Sequence, residues 1–208
     1  PAHPPMKIRE IKTHVLSKPL DKPFAFSMGW VHQRSAMVVE LITDEGVTGW
    51  GESLCHGLQP PQIAASIVQH ALKPLLIGKD PFDVDVLWER MYNQTRAYGQ
   101  KGAVPNAISA VDIALWDLRG KVLNESVGKL LGTPQRDSVL AYGTVYPLGT
   151  EPDDVRHNID RGLKLGLKAI KIVADPFWRD DLDKTALLIR TAREHVGNDI
   201  CLMVDAAT

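Results

Sequence analysis

The chain has 208 residues, 44% of them hydrophobic, and its 24 Lys and Arg against 25 Asp and Glu leave a formal net charge of -1. That much apolar material fills one large core or two modest ones and excludes a disordered composition. The balanced charge forms no continuous basic footprint, so neither nucleic acid nor an anionic membrane surface is expected as the main partner. No apolar run approaches the ~18 residues of a membrane span, and the first residues do not read as a secretory leader. The two cysteines, Cys55 and Cys201, have neither CxxC nor metal-type spacing, so reduced thiols in a cytoplasmic protein are expected.

Lys7 to Leu16 alternates Ile8, Ile11 and Val15 with charges and predicts a first strand. A proline-punctuated loop is expected next. Its part from Phe24 to Ser35 is aromatic and Met-rich, without strand or helix period, and holds Trp30, His32 and Arg34. The plain reading is an apolar loop packed on its neighbours. Ala36 to Thr43 and Val47 to Leu54 read as a hairpin around Asp44-Glu45-Gly46, which makes three antiparallel strands. Cys55-His56-Gly57 follows the third strand, where His56 reads as an ordinary surface histidine.

From Pro61 the pattern turns helical, with Ile63, Ile67, Val68, Ala71 and Leu72 on one face, and Pro81 to Ala97 predicts a second helix opening on a proline. Asn106 to Val122 is the clearest helix. Ala107, Ala110, Val111, Ala114, Leu115 and Leu118 recur at three- and four-residue intervals, and so many alanines imply close packing. After a break at Asn124, a strand over Ser138 to Tyr146, a helix over Asp153 to Leu165, a strand ending at Val173, a helix over Asp181 to Val196 and a strand over Cys201 to Asp205 form a β-α-β-α-β run.

The last two strands end in residues able to do chemistry. Alternation sets Lys171 with Ala169 and Val173, opposite Ile170 and Ile172, and Asp205 terminates an apolar run. The plainer readings are a lysine reaching from a strand end to solvent and a carboxylate capping the next loop or helix. Asp175 and Asp181 read as solvent-facing or helix-capping.

The segment Ala107-Ile108-Ser109-Ala110-Val111-Asp112-Ile113-Ala114-Leu115-Trp116-Asp117-Leu118-Arg119-Gly120-Lys121 resembles the signature helix of the mandelate racemase/muconate lactonizing enzyme family of the enolase superfamily. Gly49-Trp50-Gly51-Glu52, Leu130-Leu131-Gly132 and the strand ends at Lys171 and Asp205 fall in the same order as in that family. The resemblance implies an α+β cap domain (three-stranded antiparallel meander plus helices) over residues 6–132, followed by the first three strands of a TIM-type (β/α) barrel over 137–208. Three parallel strands cannot close a barrel of eight. The 208 residues are therefore expected to be the front part of a longer protein, and inactive alone.

What the family implies chemically is removal of the proton α to a carboxylate, with Mg2+ stabilising the enediolate. Asp205 matches the first of three carboxylate metal ligands, and the other two are expected after Thr208. Many relatives read Lys-x-Lys on the second barrel strand, where the second lysine is the base; here Lys171-Ile172-Val173 stands, and Val173 cannot take a proton. Lys171 is then expected as an electrostatic helper. The missing second lysine favours an acid-sugar dehydratase giving a 2-keto-3-deoxy acid, with a racemase or epimerase of the same family, or a non-catalytic homologue, as alternatives. The family also implies that Trp30, His32, Arg34 and His56 lie on cap loops that choose a small carboxylate substrate, and that the protein is a homo-oligomer. Ala207 stands where many relatives carry Asn, and Ser126 where proline is frequent.

Overall fold

In a computed structural model, residues 5–26, 29–55, 59–132, 136–145, 151–173 and 181–205 are described. The chain divides into two compact units, one of Pro1–Lys18 with Arg34–Gln135 and one of Pro19–Gln33 with Arg136–Thr208.

The first sheet has the order β1-β2-β3, with β1 over Ile8–Phe26, β2 over Gly29–Thr43 and β3 over Thr48–Ser53. Strand structure thus runs through most of the segment expected as a loop. The prolines at 19 and 23 misled the reading because β1 lies at the sheet edge, where a missing N–H costs no ladder bond on the open side. The hairpin turn forms as expected: Gly46 takes a positive φ of 80°, and the Val47 N–H donates to Thr43 Oγ1 at 3.0 Å. One face of β2 buries Val31, Met37, Val39 and Leu41 completely.

Helix α1 (Pro61–Ile67) continues through a π turn (Val68–Leu72) into α2 (Lys73–Leu76). The buried stripe here is Ala64, Val68, Leu72 and Leu76, while Ile63, expected inside, is exposed. Four-residue steps overshoot an α-helical turn by about 40° each. The wider π turn absorbs that drift and keeps the stripe on the core. Helix α3 (Val84–Thr95) starts later than the proline at 81 suggested and buries Val84, Leu87 and Met91.

Helix α4 (Ala103–Leu123) lies on β3, and its sequence explains how closely. A Cβ added to Gly51 would stand 2.0 Å from the Ala110 carbonyl oxygen, and one added to Gly49 would stand 2.1 Å from that of Ala114. Glycine on the strand and alanine on the helix let the two backbones touch. Being the other sheet edge, β3 also needs partners for its outer backbone groups. The Trp50 N–H donates to Asp117 Oδ2 at 2.8 Å, and Lys121 Nζ donates to the Thr48 carbonyl at 2.9 Å and to Asp117 Oδ2 at 2.6 Å. On β1, Lys73 Nζ and Gln69 Nε2 donate to the Ile11 carbonyl at 3.0 and 3.3 Å. Asn124, in the left-handed region at φ 53°, ends α4 where the sequence breaks. The short helix α5 (Val127–Leu131) is capped by Ser126, whose side chain accepts from the Lys129 N–H.

The second sheet is parallel, with β4 (Gly143–Val145), β5 (Ala169–Val173) and β6 (Cys201–Asp205) in that order. Helix α6 (Pro152–Leu163) and helix α7 (Leu182–Val196) provide the crossovers. Strand β4 is shorter than expected: residues 138–142 lie outside the ladder, with Leu140 96% exposed. A reciprocal capping box of Glu151 and Asp154 starts α6, and the Asp181 side chain accepts from the Lys184 N–H to start α7, the capping role read from its position. Val155, Ile159, Ile170, Ile172, Leu188, Ala192 and Val196 form the core between helices and sheet.

Gly51→Ala is expected to cost at least about 2 kcal/mol in urea unfolding, since backbone rather than a movable side chain blocks the new methyl. Gly128→Ala, whose nearest neighbour would be 4.0 Å away, is the control and should be neutral or gain a few tenths to about 1 kcal/mol. Burial, reinforced by the Glu52 charge and opposed by a backbone hydrogen bond from Met37, pushes the Cys55 thiol pKa up, whereas Cys201 is exposed. Iodoacetamide on the native protein should alkylate Cys201 and reach Cys55 only after denaturation. Equal rates at both thiols in a mass-spectrometric time course would contradict this burial.

Candidate active site

The site residues emerge from the period of two in the parallel sheet. Lys171 is in register with Thr144 on one side and Met203 on the other, and Val173 is in register with Asp205. Thr144, Lys171, Val173, Met203 and Asp205 therefore share one face. The opposite face carries Ile170, Ile172 and Leu202 into the helix-packed core. Burying those side chains under α6 and α7 leaves Lys171 and Asp205 no choice of side.

Lys171 Nζ donates to Asp205 Oδ2 at 2.9 Å, with the two side chains 25% and 42% exposed. The sequence placed both residues at strand ends; the fold joins them as an ion pair. The Lys171 ammonium also lies 5.7 Å from the centroid of the Tyr142 ring. Tyr142 was not singled out from the sequence, although alternation back from Thr144 puts it on the same face. Val173, 6% exposed, is the apolar neighbour of both charges.

The Asp205 carboxylate oxygens suit a hard cation, and the Lys171 ammonium suits an anionic group. Asp205 contributes one hard oxygen donor. Among the described residues no three His, Cys, Asp or Glu side chains gather into a metal-binding group.

The cap candidates sit differently from expectation. Trp30, 47% exposed, His32 and Arg34 alternate along β2 on one side of that strand rather than in an irregular loop, and His32 and Arg34 are exposed. Trp30 and His32 belong to the compact unit of Lys171 and Asp205, and Arg34 to the other. His56, Asp175 and Ala207 lie outside the described residues.

A meander with a glycine-edged third strand under an alanine-faced helix, followed by parallel βα units with charged strand ends, defines a cap-and-barrel protein of the enolase type. Residues 9–132 match the model of the mandelate racemase / muconate lactonizing enzyme N-terminal domain, and the chain belongs to that family. It is 37% identical over 204 residues to a D-galactarolactone cycloisomerase from Agrobacterium fabrum, covering 97% of this chain and 52% of that protein. An arabinonate dehydratase from Saccharolobus solfataricus is 33% identical over 178 residues, covering 84% of this chain and 46% of the relative. Among solved structures, a racemase from Streptomyces coelicolor A3(2) with bound magnesium superposes with a TM-score of 0.86 at 30% identity, covering 96% of this chain and 55% of that one. The chain thus spans about half the length of the relatives it matches.

Because both members of the Lys171–Asp205 pair are partly solvated, the pair should contribute little to folding. Asp205→Asn is expected to change the unfolding free energy by less than about 1 kcal/mol, read from urea titration. A loss of several kcal/mol would mark the pair as structural.

Proposed function

We propose that this chain belongs to a magnesium-dependent acid-sugar dehydratase, with a cap domain over residues 6–132 and the opening strands of the barrel over 137–208. The observation that carries the reading is the face shared by Lys171, Val173 and Asp205, on which one lysine stands beside one carboxylate and the second lysine position is apolar. Relatives that act as a cycloisomerase on a galactarolactone and as a dehydratase on arabinonate support a sugar-acid substrate. The magnesium-bound racemase structure supports the metal.

Asp205 would hold magnesium together with two further carboxylates outside the described residues. When bound, the cation supplies positive charge that lowers the energy of the dianion formed from the substrate. The Lys171 ammonium does the same from the protein side, pairing with the substrate carboxylate and with charge that develops on its oxygens. Val173 excludes water and cannot accept a proton, so the base that removes the α-proton comes from another residue. The electron pair of the broken C–H bond passes into the enediolate and then expels the β-hydroxyl, which leaves as water after protonation by an acid. The resulting enol tautomerises to the 2-keto-3-deoxy acid. Trp30, His32, Arg34 and His56 are proposed to choose the substrate, and the two unpaired cysteines agree with a cytoplasmic setting. The 208 residues alone, with one ligand of three, are proposed to be inactive.

A chain continued to the length of its relatives, given magnesium and a panel of acid sugars, should release a 2-keto acid detectable as its semicarbazone. Exchange of the α-proton with solvent deuterium and no 2-keto acid would instead establish racemase or epimerase chemistry. Lys171→Ala should lower kcat by about 100-fold or more while keeping magnesium, whereas Asp205→Ala should lose magnesium by calorimetry. Full turnover in Asp205→Ala would sink the metal assignment.

A further inference from the structure

Three polar contacts of the first unit converge on one short segment after β3. The Gln59 N–H donates to the Cys55 carbonyl at 3.1 Å, so the chain turns back on itself between those two residues. Cys55 is 2% exposed and belongs to the core of that unit. Asn106 stands in the first turn of α4, where its own N–H donates to the Gly102 carbonyl at 3.2 Å. From there its Nδ2 donates to the Leu54 carbonyl at 3.3 Å and to Gln59 Oε1 at 3.4 Å, one contact at each end of the segment.

The packing of α4 on β3 explains why position 106 arrives there. Gly49 faces the carbonyl of Ala114 and Gly51 that of Ala110. The same step, carried once more along strand and helix, pairs the end of β3 at the fully buried Ser53 with Asn106. The orientation of the two amides is also determined. A carbonyl only accepts, so Asn106 must turn its NH2 group to Leu54, and that group has a proton for each of two acceptors. Gln59 must then answer with its oxygen, because the reverse would set two NH2 groups against each other. Its Nε2 is left buried with no acceptor among the described residues, an orientation that costs free energy unless the oxygen is engaged.

We propose that Asn106 is a positioning residue for substrate choice, holding both ends of the segment that carries His56. This inference rests on the reading in which His56 takes part in choosing the acid sugar. One amide fixed on a helix restrains Leu54 and Gln59 together, so the segment loses freedom before substrate arrives and less is lost on binding. Helix α4 then acts in recognition as well as in packing, through a residue that touches no substrate.

The chain continued to the length of its relatives tests this in two arms. Hydrogen–deuterium exchange read on peptides covering 54–60 should be about tenfold faster in Asn106→Ala, the effect of about one lost hydrogen bond, with peptides over 107–123 unchanged. On the acid-sugar panel, Asn106→Ala should raise KM for the preferred substrate about tenfold and alter the order of preference, with little change in kcat. A loss of folded enzyme would instead lower apparent kcat and leave KM alone, and the melting temperature is read alongside. Gln59→Ala, which keeps the Leu54 contact, should give a smaller change in the same direction. Unchanged exchange over 54–60 in folded Asn106→Ala overturns the proposal, as does faster exchange with the KM and preference of the wild type. A wild type that converts no acid sugar overturns the reading beneath the proposal, while the exchange arm alone decides whether Asn106 holds the segment.

Discussion

Backbone-to-backbone approach of β3 and α4 is the contact on which the first unit depends. Two glycines, at positions 49 and 51, point at the carbonyls of Ala114 and Ala110 at distances no side chain tolerates. The gain is close packing between a strand and a 21-residue helix along several turns. Close approach also brings Asp117 and Lys121 within reach of the strand's open edge, where they take up one N–H and one carbonyl that otherwise face away from the sheet. Sheet closure on this side is done by side chains, and Gln69 and Lys73 do the equivalent at Ile11 on the other edge.

This contact also explains what the signature helix is for. Its alanines fit against the glycines of β3, its Asp117 and Lys121 hold the strand edge, and none of these residues belongs to the strand ends where the charged pair lies. The helix is evidence of family through scaffold, while the chemistry rests on a few residues of the parallel sheet. Those residues depend on a different constraint. Burial of Ile170, Ile172 and Leu202 under two helices sets the register face, and Lys171 and Asp205 follow on the other side.

Several features were legible in the residues alone: the hairpin turn at Gly46, the extent of α4 to within a few residues, the break at Asn124, the alternating faces of β5 and the capping place of Asp181. Each follows from local stereochemistry or from a strong apolar period. The full length of strands β1 and β2 was not legible. Prolines and aromatics without period read as a loop, and only the edge position of β1 makes them compatible with a strand. Nor was the stripe at Ala64, Val68, Leu72 and Leu76, because the π turn that aligns it changes the period on which the reading relied.

By itself the sequence determined the element types, the order of cap and βα units, the family, and the residue types offered at two strand ends, since those depend on local periods and on small residues at fixed spacing. Only the tertiary structure decided that Lys171 and Asp205, 34 residues apart, form a 2.9 Å ion pair with Val173 in register with Asp205, because that needs the parallel register of β5 and β6. It also decided that the glycines of β3 touch the α4 backbone, because chain positions about sixty apart meet only when the sheet and helix pack, and no local propensity encodes that distance.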